Sequence, residues 1–194
     1  MFKRKMPTHA SVHDHRGDSR VRSGLLLAFL GFLTAAPACS AERWQQYLYP
    51  EDGFSANFPE QPTLLEQRHD TSQSAGGTVS ERIYSFDEGG VIYSVSIIDF
   101  TKGDVDPDIA VDEVASALTG LGSVTFDGSI YLDQMHGREL IVIGRDGTSY
   151  TDGIFYLKRL LYQMKVVYPA INIDPAGSSG ISIFQGKFRF LDPY

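Results

Sequence analysis

The stretch "TVSERIYSFDEGGVIYSVSIIDF", Thr78 to Phe100, decides how the rest of the chain reads. Two runs rich in β-branched and aromatic residues flank Asp87-Glu88-Gly89-Gly90, the pattern of a hairpin. In the second run Tyr93, Val95 and Ile97 fall on one face. Ser94 and Ser96 fall on the other with Ile92 and Ile98, because successive side chains in a strand alternate. This predicts a sheet with one face in a core and the other partly covered.

Toward the N-terminus, "DGFSANFP" (Asp52–Pro59) sets Phe54, Ala56 and Phe58 against Ser55 and Asn57, then stops at a proline. It predicts the first strand, entered by an Asp52-Gly53 turn and lying near a sheet edge, since proline gives no amide to a central ladder. Trp44, Tyr47 and Tyr49 lead into it. "TLLEQRHD" (Thr63–Asp70) reads as a second strand and Thr71–Gly77 as a loop.

Toward the C-terminus the period changes. In "DPDIAVDEVASALTG", Val111, Val114, Ala115 and Leu118 make a helical stripe, with Asp106 as N-cap, Pro107 at the first position and Gly120 at the C-terminal end. "GSVTFDGSIYLD" predicts strand with a turn at Asp127-Gly128, and His136 falls in a turn before the central strand "RELIVIG". "RDGTSYTDG" reads as a loop or short hairpin. "IFYLKRLLYQMKVVYP" reads as two strands joined at Lys158-Arg159. Ile181, Phe184 and Phe188 are spaced for a second helix, although Gly177, Gly180 and Gly186 each weaken one by about 1 kcal/mol. The order predicts an α+β fold, a central antiparallel sheet flanked by helices.

The residues also carry a resemblance. "W..YLYPEDGFSANFPEQP", the Thr78–Phe100 hairpin, "RLLYQMKVVYP" and the closing "FQGKFRF" resemble the signatures of PsbP-like domains and their exported bacterial relatives, over nearly all of Trp44 to Phe190. These are aromatic, glycine and proline positions, so they mark a fold and carry no catalytic residues. The resemblance implies a PsbP-like α/β/α sandwich. Plant members of that group serve photosystem II as extrinsic subunits, and distant relatives of the fold bind protein partners such as the GTPase Ran. A single fold hosts many functions.

The first 41 residues read as a secretory signal segment, with residues 42–194 as a single domain. A basic lead (Lys3, Arg4, Lys5, Arg16, Arg20, Arg22) precedes an apolar run from Leu25 to Leu33, too short for a membrane span of about 20 residues and suited to an export signal. Small residues at Ala36-Pro37-Ala38 and Cys39-Ser40-Ala41 offer cleavage sites. Cleavage after Ala41 releases a periplasmic or secreted protein starting at Glu42. The alternatives are a lipoprotein acylated at Cys39 and a retained signal anchor. Six of the 17 basic residues and two of the 24 acidic ones precede Glu42. The remainder therefore holds 11 basic and 22 acidic residues, a net charge of −11. Such a domain lacks the basic footprint that nucleic acid needs. With at most one cysteine it forms no internal disulfide, and its stability must come from its core.

The chemistry-bearing residues form no coherent catalytic, cofactor or metal set. Asp104, Asp106 and Asp108 match positions 1, 3 and 5 of a calcium loop, but Ile109 and Ala115 stand where that loop needs glycine and glutamate. A helix cap explains the same aspartates. His69 and His136 have no histidine or cysteine at metal spacing. "GRDG" and "AGSSG" lack the features of a phosphate loop, and no Gly-x-Ser-x-Gly elbow supports a serine nucleophile. Tyr84, Tyr93, Tyr150, Tyr156, Tyr162 and Tyr168 lie on or beside predicted strands, as core packing or as the lining of a cleft. The expectation is a non-catalytic accessory or binding domain that engages a protein partner in the envelope, with no membrane span once the signal is removed. The alternative is a hydrolase whose His136, Asp146 and Ser149 converge near "GRDGTSYTDG".

Overall fold

The computed structural model describes residues 44–169 and 175–192, the first five of the second stretch by backbone alone. Residues 1–41, read above as a secretory signal segment and including Cys39, lie outside the described residues. Ten strands and two helices follow in order: β1 (Gln45–Tyr49), β2 (Phe54–Phe58), β3 (Thr63–Asp70), β4 (Thr78–Glu88), β5 (Val91–Asp99), α1 (Pro107–Thr119), β6 (Gly122–Leu132), β7 (Met135–Gly144), β8 (Thr148–Leu157), β9 (Leu160–Pro169), α2 (Pro175–Lys187) and β10 (Arg189–Phe190). They form two antiparallel sheets. The large one runs β3-β4-β5-β9-β8-β7-β6 and the small one β1-β2-β10.

The hairpin reading holds, with Tyr84 opposite Val95 across β4 and β5. β9 continues the core face, setting Val166, Met164 and Tyr162 opposite Tyr93, Val95 and Ile97. The small sheet and α2 cover this face through Phe54, Phe58, Phe184 and Phe188, all buried. Burying each such ring stabilises by roughly 1.5–3 kcal/mol. α1 packs on the opposite face over Leu140, Val142, Ile154 and Leu161. The architecture is therefore sheet-dominated, with one helix on one side and a small sheet plus one helix on the other.

Four expectations need correction. β2 is the middle strand of the small sheet, with Phe54, Ala56 and Phe58 fully buried, and not an edge of one common sheet. Asp127-Gly128 is not a turn. It lies inside β6, paired with Leu140 and Glu139, and the chain reverses at Asp133-Gln134, both left-handed with φ 47° and 67°. His136 consequently sits within β7. Residues 148–153, expected as loop or short hairpin, instead open β8. Lys158-Arg159 does form the β8–β9 turn, with φ 50° and 66° in place of the usual glycine.

Asp52 joins the two sheets. Its carboxylate accepts from Arg82 Nε at 2.6 Å and from the Tyr84 hydroxyl, while its backbone carbonyl accepts from Tyr162 Oη at 2.8 Å. Gly53 follows in the left-handed region at φ 72°, and that conformation turns the chain directly into β2.

Candidate functional site

α1 lies across one face of the large sheet and is tied down on both flanks. On one side Arg138 of β7 donates from Nη1 to Asp112 at 2.7 Å and from Nε and Nη2 to Asp127 at 2.8 Å each. On the other side Glu113 accepts from Thr71 Oγ1 at 2.6 Å and from the Ser72 amide at 2.9 Å. Asp106 caps its start, accepting from the Asp108 amide at 2.9 Å. A hydrogen-bonded cap and two clamps leave the helix as a fixed ridge. A concavity runs along each side of it.

The first, roughly 680 Å³, lies between α1 and β6–β7 and is lined by Asp108, Asp112, Asp127, Ser129, His136 and Arg138. Its charges serve one another. The Arg138 guanidinium holds the Asp127 carboxyl below the usual aspartate range despite opposing burial. His136 Nε2 stands 3.2 Å from Ser129 Oγ and its ring packs on Tyr131. Nothing in this groove is buried without a partner.

The second is different. It is a basin of roughly 550 Å³ over β3, β4, β5 and β9 beside the C-terminal half of α1. Its walls are aliphatic, with Ile83, Ile92, Leu118 and Leu121. Its floor is polar, because the alternation that puts Tyr93, Val95 and Ile97 into the core turns Ser94 and Ser96 this way. Register then sets Gln163 opposite Ser96 and Lys165 opposite Ser94. Glu81, only 6% exposed, is bonded by Gln67 Nε2 at 2.8 Å and lies 3.5 Å from His69 Nδ1. Burial works against its charged form, but hydrogen bonds from His69, Gln67 and Ser96 outweigh that and hold its carboxyl below the ordinary value.

Beside this floor, one strand further along the sheet, lies Asp152, on β8 opposite Lys165. It is 0% exposed. Its Oδ2 accepts from Gln163 Nε2 at 2.6 Å, and its Oδ1 has no partner among the described residues. Burial pushes its carboxyl up to about 7, against the Lys165 charge and the Gln163 hydrogen bond that favour the charged form. An orphaned buried oxygen costs about 1–3 kcal/mol, and a buried apolar residue in its place would carry no such cost. The Gln163 amide must point its NH₂ at this carboxylate, so its carbonyl oxygen remains as an acceptor in the basin lining.

The residues singled out by sequence are scattered. His136 is near one end of β7 and Asp146 lies beyond the other, with roughly 26 Å of strand between His136 and Gly144. Asp146 accepts from the Thr148 amide at 2.9 Å in the β7–β8 turn, and Ser149 is buried on β8. The three are not brought together. Tyr84, Tyr93 and Tyr162 are core residues, and Tyr168 meets Thr151 at 3.3 Å. Tyr156 lines the first groove, and Tyr150 packs partly buried under α1. His69 alone of the earlier candidates lines the basin. Among the described residues no three His, Cys, Asp or Glu side chains are placed to hold a metal ion. No helix among them is long and apolar enough to cross a membrane. Sequence reading missed Glu81, Asp152, Gln163 and Lys165. The available signal was "YQMKV", where glutamine and lysine alternate with apolar residues beside the two serines of β5.

Among solved structures, the chain is similar to the solution structure of cyanobacterial PsbP (CyanoP) from Synechocystis sp. PCC 6803. The likeness is to a PsbP. It covers 81% of this chain and 98% of that chain, with 14% sequence identity and a TM-score of 0.49. At that identity and TM-score no residue role passes from one chain to the other. No protein-family model matches the chain, and no curated protein matches it either.

Proposed function

We propose that this chain is an exported, non-catalytic accessory domain that binds a protein partner in the envelope, and that the basin beside α1 is where it binds. The observation that carries the reading is Asp152, an enclosed carboxylate with one oxygen unpartnered, holding Gln163 in the polar floor of a concavity with aliphatic walls. Positions that break the packing rule at a cost in stability mark functional sites more often than structural ones. The basin offers acceptors at Gln163, Glu81 and the two serines, ringed by aliphatic contacts. Lys165 adds a positive charge to the floor, so the basin suits a segment that presents a neutral amide donor flanked by apolar side chains. The net charge of −11 beyond residue 41 attracts a basic partner surface and speeds its approach. The sequence resemblance to PsbP-like domains supports an accessory role of the same general kind.

The test uses Ala117, which is exposed on α1 and lines the basin. Ala117→Arg fills the basin from the helix side without touching the core. Purified wild-type protein is used as bait in envelope extract beside Ala117→Arg and Asp192→Ala, which lies on the small-sheet side. The reading requires a partner that is retained by the wild type and the Asp192 variant and lost with Ala117→Arg. Equal capture by all three would contradict it.

A further inference from the structure

Among the described residues the large sheet ends in two unpaired edges, β3 and β6. They are unlike. β6 carries a register shift between Val124 and Phe126, and a bulge of that kind bends an edge away from flat pairing. β3 pairs with β4 at eight consecutive positions without a shift. It is exposed along nearly its whole length, with Leu64 50% and Leu65 53% exposed. A regular, open edge of this length is a template for another strand.

We infer that β3 pairs antiparallel with β3 of a second copy of this chain, about a two-fold axis perpendicular to the sheet and passing through Gln67. Such an axis keeps equivalent faces on the same side, so it must pass through a residue that stands opposite itself. A centre at Glu66 sets glutamate against glutamate. A centre at Arg68 sets arginine against arginine and Glu66 against the partner's Asp70. A centre at Leu65 reaches Pro62 and leaves only Thr63 to Gln67 in the ladder, and centres at Leu64 or His69 leave less. The Gln67 centre pairs every position from Leu64 to Asp70. It sets Glu66 opposite the partner's Arg68, and by symmetry Arg68 opposite the partner's Glu66. Opposite charges directly across an antiparallel pair attract, and like charges repel. The charge order of β3 therefore selects one register for self-pairing.

The pairing has a consequence for the basin, although it stands on the edge and not on what the basin binds. Gln67 and His69 line the basin at its β3 side. Because the axis keeps both basins on one face, each copy's Gln67 meets the other's at the two-fold. The partner's Gln67 and His69 then extend the lining, and two basins become one trough crossing the dimer. A binding segment would run across both copies.

Sedimentation velocity over a concentration series tests this with four proteins: wild type, Glu66→Arg, Arg68→Glu and the double exchange. Both changes are on the exposed strand, and circular dichroism checks folding. We expect a wild-type dimer, a dissociation constant raised about tenfold or more by either single change, and recovery in the double exchange. A wild type that stays monomeric up to its solubility limit would overturn the inference. So would a dimer indifferent to the single changes, a failure of the double exchange to recover, or a monomer that instead takes an extended peptide of another protein along β3. Loss of the dimer with basin binding intact, or the reverse, separates this inference from the proposed function.

Discussion

Replacing Asp152 by asparagine should make the protein more stable at alkaline pH and leave it no more stable in acid. Burial moves this carboxyl from an ordinary value of 3.8 to about 7. The folded state therefore holds the proton more tightly than the unfolded state. The cost of ionising Asp152 is absent below pH 4, grows as pH rises, and is complete above about pH 7. At 1.36 kcal/mol per unit the full cost is roughly 4 kcal/mol. Asparagine keeps the shape, accepts from Gln163 through its carbonyl and never ionises. Its NH₂ then occupies the unpartnered position, at a cost of about 1–3 kcal/mol. The net gain at pH 8 is about 1–3 kcal/mol, falling to zero or reversing by pH 4. Urea unfolding followed by fluorescence of Trp44, the single tryptophan, packed edge-on against Tyr93 at 5.1 Å, measures this at each pH. A destabilised variant at pH 8, or the same difference at pH 4 and pH 8, would refute the reasoning.

Three further outcomes follow from the packing. Asp52→Ala strands Arg82 and Tyr84 between the sheets and should cost about 3 kcal/mol in urea unfolding; a loss under about 1 kcal/mol would mean that Asp52 does not couple them. Gly180→Ala ought to help an isolated helix by about 1 kcal/mol. Its added carbon would nevertheless lie 3.0 Å from Trp44 Cζ2 and press on the Tyr93 hydroxyl, so the expected result in thermal melts is a net loss of about 1–2 kcal/mol. Arg159→Gly should raise stability by about 0.5–1 kcal/mol by relieving a left-handed arginine at φ 66°, and an unchanged melting temperature would show the turn to be unstrained.

Much of the large sheet could be read from residue order because its strands are joined by short hairpins. The Thr78–Phe100 pair, the Lys158-Arg159 reversal and the capped helix at Pro107 all depend on neighbours. The small sheet could not be read in the same way, because β10 pairs Arg189 and Phe190 with Ser55 and Phe54 from the other end of the chain. Two Asp-Gly pairs misled for a common reason. A turn signal is local, yet Asp127 is held in β6 by Arg138. Gly153 sits in mid-β8, where a side chain would come within 3.2 Å of Met164 Cε. Gly180 argued against α2 by propensity and turns out to be what lets that helix approach Tyr93. The basin was half legible. Ser94 and Ser96 announced a polar face, but which strands would complete it depends on β5 lying beside β9, and on β8 bringing Asp152 next to Lys165. Neither neighbour relation is written in any short stretch of sequence.

Photo-crosslinking from the basin is the most direct test of the central claim. A photoreactive residue at position 117 stands in the basin wall, and one at position 192 stands on the far side of the sheet. The account requires a protein adduct from 117 in envelope extract, and none from 192. An adduct formed from 192 alone, or from both positions equally, would place binding elsewhere and contradict it.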